Sequence, residues 1–305
     1  MARQHSASGV RAERATLDGS RTRWQASRME EDWRRLNRAN WDERTALHLG
    51  PRGYDLSTHR AGSGRLDPIV EAMLPPLEGL RLLHLQCHIG DDSLALLQRG
   101  AKEVTGVDWS PPAIAAARAL ADETGAAALR FVESDVLAAP EAMPGEEASF
   151  DLIFTSWGTI GWLPDIRRWA RVVAHFLRPG GRLLFADGHP VAAVFDGWSP
   201  PGDPEGKPGW LVPYFERKGR VFEDAVDYCD PSVPIRNSRT VAWLHPLGDV
   251  LDALHEAGLR LERLREHDRL PWAFFPGLVR GADGLWTWPS QPWLPLSYSL
   301  VAIKG

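Results

Sequence analysis

Cysteine is scarce in this sequence, and no long apolar run occurs in it. The two cysteines, Cys87 and Cys229, cannot form a disulfide framework, so a reducing compartment such as the cytoplasm is expected. A membrane-spanning helix needs about 20 consecutive apolar residues, and no stretch approaches that length. The first residues, MARQHSASG, also lack the hydrophobic region of a signal peptide. Together these absences predict a cytoplasmic protein without a membrane span.

Positive charge is not in excess either. The chain has 35 basic and 40 acidic residues and a formal net charge of −5. This balance is too acidic for a protein that depends on a broad nucleic-acid or anionic-membrane surface. Nucleic acid and membrane are therefore not expected as partners, and we expect a monomer or a homodimer.

Tryptophan, in contrast, is abundant: the chain has 14 tryptophans and four tyrosines. Between residues 80 and 156 only Trp109 occurs, and the other tryptophans lie outside that region. Rigid aromatic side chains give contact area at low entropic cost, so this distribution predicts an aromatic-walled pocket for a largely apolar ligand. Trp162, Trp210 and Tyr214 are the predicted contacts of that ligand.

Short apolar runs alternate with amphipathic stretches between residues 80 and 190. This alternation predicts an α/β fold with a doubly wound, mostly parallel sheet and helices on both faces. A segment rich in proline, glycine and aromatic residues interrupts it, and we expect an antiparallel hairpin there that turns near Lys218 and Gly219. The predicted parts are a disordered basic tail (1–28), an N-terminal helical cover (29–77), a cofactor-binding core (78–190), an inserted substrate lid (191–246) and the remainder of the core sheet (247–305).

Polar residues follow the predicted parallel strands, where ligands of doubly wound sheets bind. The first turn has one glycine, Gly90, instead of the G-x-G-x-x-G pattern that lets backbone approach a pyrophosphate. Asp108, after the second strand, is placed to accept hydrogen bonds from both hydroxyls of a ribose. Asp135, after the third, can accept from an adenine amino group while the amide of Val136 donates to a ring nitrogen. These residues indicate a nucleoside without phosphate.

The run LLHLQCHIGDDSLALLQRGAKEVTGVDWSPPAIAAAR resembles the first motif region of class I S-adenosylmethionine-dependent methyltransferases. More narrowly, it resembles a bacterial small-molecule branch with H-L-Q-C-H-x-G-x-D-T/S-L in place of the glycine-rich signature. The resemblance continues through FDLIFTSWGTIGWLPDIRRWARVVAHFLRPGGRLLFADGHP. It implies a seven-stranded Rossmann-like sheet with an antiparallel last strand, S-adenosylmethionine as cofactor and S-adenosylhomocysteine as product.

The resemblance also implies which residues hold the cofactor. Gln86, His88 and Gly90 would surround the methionine moiety, and Asp108 would take the ribose hydroxyls. The other implied cofactor contacts are Trp41, Trp109, Ser110, Asp135, Val136, Ser156 and Trp157. No metal is expected, because the histidines and acids near the first turn share one short segment with poor tetrahedral geometry.

Two residues after the fifth strand are candidates for acceptor chemistry. His189 has an unperturbed pKa near neutrality and is the candidate general base. Asp187 would orient His189 or accept the proton itself. Both residues also have structural interpretations, since a histidine before proline can cap a loop.

The predicted function is methyl transfer to an oxygen, nitrogen or carbon atom of a small, largely apolar, aromatic or prenyl-type molecule of secondary metabolism. The acceptor atom stays open. Two alternatives are a protein that binds the cofactor without methylating, either cyclase-like or regulatory, and a nicotinamide-dependent oxidoreductase. The missing glycine pattern argues against the oxidoreductase.

Overall fold

The computed structural model of the protein describes residues 19–195 and 209–305. The helices in these ranges are α1 (Gly19–His48), α2 (Ser57–Arg60), α3 (Pro68–Glu71), α4 (Asp91–Gln98), α5 (Pro111–Glu123), α6 (Ala139–Ala142), α7 (Ile166–Phe176) and α8 (Leu247–Glu256). Short 3-10 turns occupy Val136–Ala138, Ile160–Trp162 and Ala192–Val194. None of the helices described is long and apolar enough to cross a membrane.

The strands are β1 (Arg81–Leu85), β2 (Glu103–Asp108), β3 (Leu129–Glu133), β4 (Phe150–Ser156), β5 (Leu177–Gly188), β6 (Arg220–Glu223), β7 (Arg239–Ala242), β8 (Leu259–His267), β9 (Arg269–Leu270), β10 (Val279–Arg280), β11 (Trp286–Thr287) and β12 (Ser297–Lys304). Seven of them form the main sheet, in the order β3-β2-β1-β4-β5-β12-β8. β12 runs antiparallel to both neighbours, and the other neighbouring pairs are parallel. The predicted fold is therefore confirmed.

Strand order reverses between β1 and β4, which opens a crevice at the carboxyl ends of these strands. β1 is largely apolar because helices cover both faces of the sheet. Leu83 and Leu85 pack in the core cluster that contains α7 and α8, and Leu82 packs in the opposite one with α4. His84 shares that second face, where its Nδ1 lies 2.8 Å from Ser93 Oγ. Burial lowers the pKa of His84 to about 3, so it is a neutral core residue.

Side-chain caps start several of the helices. Asp67 accepts hydrogen bonds from the amides of Ile69 and Val70 at the start of α3. Ser110 accepts from Ala113 N at the start of α5, where Pro111 is the first helical residue. Such caps stabilise a helix by about 1 kcal/mol each. They hold the polar turns at the edge of the sheet in fixed positions.

The structure differs from the sequence predictions in three places. α1 begins at Gly19, before the predicted boundary at residue 29, and residues 1–18 of the predicted tail lie outside the described ranges. The predicted hairpin turn at Lys218 and Gly219 is wrong, because β6 pairs with β7 and the connection is 224–238. Gly219 instead permits a close approach: a Cβ there would lie 2.7 Å from Trp243 Cε2. A small sheet of β10, β11 and β9 was not predicted.

Candidate active site

Three residues of the loop after β1 have a left-handed backbone conformation. The φ angles of Gln86, His88 and Gly90 are 58°, 48° and 76°. For residues with a Cβ this conformation costs about 1–2 kcal/mol each, and such strain is typical of functional loops. At Gly90 a side chain is excluded, since a Cβ would lie 2.5 Å from Phe131 Cζ.

Asp108, at the end of β2, holds this loop. Its Oδ2 accepts a hydrogen bond of 2.9 Å from His88 N, and its Oδ1 accepts one of 2.9 Å from Ser110 N. Burial raises the pKa of Asp108 to about 6, although both hydrogen bonds oppose that rise. Each carboxylate oxygen keeps a further lone pair, so the group can still accept hydrogen bonds from a diol.

Gln86 connects the loop to the turn after β4. Its Nε2 donates a 2.9 Å hydrogen bond to Thr159 O. Its Oε1 is buried and has no hydrogen-bond partner within the described ranges. A buried acceptor without a donor costs about 1–3 kcal/mol. This oxygen therefore fits an ammonium group supplied by a ligand, as the methionine moiety of S-adenosylmethionine would supply.

α1 covers the ends of β2 and β3. Asp42 Oδ1 accepts a 2.6 Å hydrogen bond from Ser110 Oγ, and Trp33 packs 5.9 Å from the ring of Trp109. Arg34 Nε lies 3.1 Å from Asp135 Oδ2, while Asp135 Oδ1 accepts from Leu137 N.

α1 therefore covers the edge of the sheet at which His88, Ser110 and Asp135 lie. Val136, in the 3-10 turn after Asp135, is buried in the core. Trp41 of α1 contacts two parts of this edge: its ring lies 5.6 Å from the ring of His88 and 5.6 Å from that of Trp162.

A buried polar network, which the sequence did not predict, joins the loop to α1 and to the 209–245 segment. His88 Nε2 lies 2.7 Å from His48 Nδ1, and His48 Nε2 lies 3.1 Å from Asp227 Oδ2. Arg44 Nη1 donates to the same Asp227 oxygen at 2.7 Å. We call Arg44, His48, His88 and Asp227 the α1–lid network.

Charge in the α1–lid network is balanced. Burial alone would raise the pKa of Asp227, but hydrogen bonds from His48, from the Cys229 amide and from Arg44 hold it well below its usual range. Burial, reinforced by the nearby His48, lowers the pKa of His88 to about 3. His88 is therefore neutral and Asp227 ionised at pH 7.

His48, Asp227 and Cys229 also form a group that has the residue types of a metal site. Their charges are already satisfied, because Asp227 accepts from Arg44 and from Cys229 N. Burial, together with Asp227, raises the pKa of the Cys229 thiol to about 12, so the thiol stays protonated. The three residues form a hydrogen-bonded cluster in which Asp227 is the shared acceptor.

Ser156 and Trp157, after β4, contact acids from other elements. Ser156 Oγ donates to Asp92 Oδ2 at 3.3 Å, and Trp157 Nε1 donates to Asp67 Oδ2 at 2.7 Å. Burial, reinforced by neighbouring carboxylates, raises the pKa of Asp92 well above its usual value. Trp157 is itself left-handed, with φ 56°, so the turn is held in a strained shape.

Asp187 is bound to the turn after β4. Its Oδ1 accepts hydrogen bonds from Gly158 N and Gly188 N at 2.6 and 2.7 Å, and its Oδ2 accepts from Thr159 N at 3.1 Å and Ile160 N at 3.4 Å. Burial raises its pKa, and these four amides oppose the rise. The carboxylate thus fixes the backbone of residues 158–160.

His189 lies beside Asp187 with a different environment. Its Nδ1 accepts a 3.2 Å hydrogen bond from Val191 N, and its Nε2 lies 2.9 Å from Glu266 Oε1. Burial lowers the pKa of His189, although Glu266 counteracts this effect. The imidazole is neutral at pH 7, and the carboxylate next to it can stabilise a positive charge.

A cavity of about 230 Å³ opens next to these residues. Asp187, His189 and Trp162, three of the residues predicted for acceptor chemistry or binding, line it. Its other aromatic lining residues are Phe222, Trp243, Trp272, Phe274 and Tyr298.

The two other predicted acceptor contacts lie outside the cavity lining. Trp210 is 83% exposed and stacks on Phe195, and the hydroxyl of Tyr214 accepts from Leu247 N at the start of α8. Trp157 also lies outside the lining, but its ring contacts Trp272, which belongs to it, at 6.0 Å.

Known proteins match part of this chain. Residues 82–181 match a family model described as a methyltransferase domain. The ubiquinone biosynthesis O-methyltransferase of Xylella fastidiosa strain 9a5c is 32% identical over 145 residues, which cover 48% of this chain and 56% of that protein. The demethylmenaquinone methyltransferase of Thermus thermophilus is 34% identical over 105 residues, covering 34% and 45%. The chain thus spans about half the length of these curated relatives.

The fold also matches solved structures. An S-adenosylmethionine-dependent methyltransferase from Mesorhizobium loti superposes with a TM-score of 0.53 at 24% sequence identity, covering 78% of this chain and 96% of that one. At this identity the likeness concerns the fold, and it agrees with the sheet order described above. Residues 82–181 are therefore similar to a methyltransferase domain, and the chain has the fold of an S-adenosylmethionine-dependent methyltransferase.

Proposed function

We propose that the protein transfers a methyl group from S-adenosylmethionine to a small, largely aromatic molecule. One observation carries this proposal. The hydrogen bond from Gln86 Nε2 to Thr159 O joins the loop after β1, the proposed cofactor loop, to the turn that borders the aromatic cavity. Gly158 and Ile160, on either side of Thr159, line that cavity. A cofactor at the loop and an acceptor in the cavity would therefore be neighbours.

The cofactor would be held by groups that are ready to accept its donors. Asp108 has free lone pairs for the ribose hydroxyls, and the unpartnered Gln86 Oε1 suits the methionine ammonium group. S-adenosylmethionine supplies an activated methyl group on a sulfonium. In our proposal His88, Gly90, Ser110, Asp135, Val136, Ser156 and the tryptophans 41, 109 and 157 complete the cofactor site.

The protein's part in methyl transfer is to align the acceptor and to exclude water. The six aromatic side chains of the cavity serve both purposes. His189 is the better of the two candidates to take a proton from the acceptor. Both carboxylate oxygens of Asp187 already accept hydrogen bonds from backbone amides. In His189, Nδ1 accepts a single, long hydrogen bond from a backbone amide, and the neighbouring Glu266 can stabilise the imidazolium that forms.

Calorimetric titration with S-adenosylhomocysteine tests the cofactor site. The intact chain should bind it, and Asp108→Asn should weaken binding at least tenfold, since a charged acceptor for two hydroxyls is lost. Asp122→Asn, on the exposed side of α5, is the matched control and should bind normally. Absence of binding to the intact chain, or unchanged binding by Asp108→Asn, would contradict the proposal.

A transfer assay then separates methylation from cofactor binding alone. The purified chain is incubated with methyl-labelled S-adenosylmethionine and a panel of phenols, indoles and aromatic acids. Label in at least one product, lost in Asp108→Asn, is the expected result. Binding without transfer to any compound would favour the non-methylating, cyclase-like or regulatory alternative.

A further inference from the structure

Two cations border the aromatic cavity on its β6 side. Lys218 and Arg220 both line it, on either side of Gly219. The backbone of Gly219 presses against the indole of Trp243, so closely that a Cβ would lie 2.7 Å from Trp243 Cε2. This contact holds the Lys218–Arg220 segment against the cavity wall.

The alternation of β6 determines which side chains face the cavity. Arg220 and Phe222 are half-buried and line the cavity, while Val221 and Glu223 are exposed. Successive residues of a strand point to opposite faces, so the acid of this strand lies away from the cavity. Glu223 pairs there with Arg239, at 3.2 Å.

No carboxylate of the described residues neutralises these two cations within 4.0 Å. Arg220 donates one hydrogen bond, from Nη1 to Leu211 O at 2.8 Å. Glu216 accepts from the backbone amide of Lys218 and forms no ion pair with its ammonium group. The adjacent Arg217, outside the cavity lining, does pair with Asp249 at 2.8 Å. Among the residues that the structure describes, Arg217 is thus paired with a carboxylate, whereas the exposed Lys218 and the half-buried Arg220 have none within that distance. These two cations are therefore available to a ligand in the cavity.

Resting on the proposed function, we propose that the methyl acceptor is an aromatic acid of one or two rings. Its anionic substituent, such as a carboxylate, would bind Lys218 and Arg220 while its ring packs among the aromatic side chains. The volume of about 230 Å³ supports a small acceptor, since pockets for drug-sized ligands measure about 300–1,000 Å³. Hydrogen bonds to an ionised group are about twice as strong as neutral ones, so the anion would set specificity.

A pair of probes that differ in charge tests this inference. Naphthalene-2-carboxylate and naphthalene-2-carboxamide have nearly the same shape, and their binding to the full chain can be followed by quenching of tryptophan fluorescence. The carboxylate should bind at least tenfold more tightly than the carboxamide, and added salt should reduce this difference. Lys218→Met and Arg220→Met keep an apolar stem and remove the charge. Each should weaken carboxylate binding at least threefold and leave carboxamide binding unchanged.

Arg217→Met is the matched control, because its side chain pairs with Asp249 outside the cavity lining. Three results would each overturn the inference. The two probes bind with equal affinity, the carboxylate binds more weakly than about 1 mM, or Arg217→Met weakens carboxylate binding as much as Lys218→Met and Arg220→Met do. S-adenosylhomocysteine titration of each variant checks folding and keeps the two proposals apart. Normal cofactor binding without charge discrimination refutes the acid acceptor alone. Charge discrimination without cofactor binding supports the anion site and refutes methyl transfer.

Discussion

Replacing Asp227 by asparagine removes one charge from the α1–lid network and keeps the shape of the side chain. Asp227 is fully buried and Arg44 is nearly so, and the two are joined at 2.7 Å. Removing one partner of a buried ion pair costs about 3–5 kcal/mol, because the other charge is left unpaired. Asp224 lies 3.9 Å from Arg44 Nη2 and can compensate in part. We therefore expect a loss of about 3 kcal/mol in the free energy of unfolding.

Thermal unfolding at pH 7, followed by circular dichroism, measures this loss. At about 2 °C per kcal/mol for a chain of this size, the melting temperature should fall by about 6 °C. Asp252→Asn, an exposed position on α8, is the matched control and should change stability by less than about 0.5 kcal/mol. A loss below about 1 kcal/mol for Asp227→Asn would refute the idea that the network carries a tightly coupled charge pair.

The pH dependence provides a second test of the same reasoning. The pKa of Asp227 is lower in the folded chain than the value of about 3.9 expected when unfolded. Its stabilising contribution is therefore complete well above pH 4 and is lost as the pH falls towards the folded pKa. The stability difference between wild type and Asp227→Asn should shrink by about 1 kcal/mol between pH 5 and pH 3. A difference that does not shrink contradicts the depressed pKa.

Two further predictions concern the loop and the cavity. Gly90→Ala should destabilise the fold by about 2–4 kcal/mol, since its Cβ would clash with Phe131 in addition to the left-handed strain. Gly125 is the control, with φ 64° and open space around it, and Gly125→Ala should lower the free energy of unfolding by only about 1 kcal/mol in chemical denaturation. Equal losses for the two variants would show that the contact with Phe131 is relieved. For His189, burial lowers the pKa, so methyl transfer should decline only below about pH 6.5 as the imidazole becomes protonated. His189→Gln should lower the rate and abolish this acid limb; an unchanged profile would exclude His189 as the proton acceptor.

The main sheet and its polar edge could be predicted because their signals are local. Buried parallel strands are short apolar runs, and their helices begin at capping residues such as Ser110. The start of each helix also shows where the preceding strand ends, so the sequence alone places Asp108 and Gln86 at the same edge of the sheet. The small sheet of β9 to β11 escaped prediction, since two-residue strands are too short to show alternation.

The α1–lid network could not be predicted, because its members are far apart in the sequence. Arg44 and Asp227 are separated by 183 positions, and His48 and His88 by 40. Nothing near any one of these residues indicates its partner. The same limit applies to the cavity wall, where Trp243 and Trp272 join Trp162 through long-range packing while Trp210 lies exposed on the surface.

Trp41 connects the two halves of the proposed site, and in our proposal it would couple the binding of the cofactor to that of the acceptor. Its ring lies 5.6 Å, between centroids, from that of His88 in the loop after β1 and 5.6 Å from that of Trp162 in the cavity wall. A ligand that contacted this ring from one side would change the surface that the other ligand meets. Such linkage is reciprocal: the factor by which one ligand changes the other's affinity is the same in both directions. A bound cofactor would therefore be detected as a change in the affinity for the acceptor, and a bound acceptor as a change in the affinity for the cofactor.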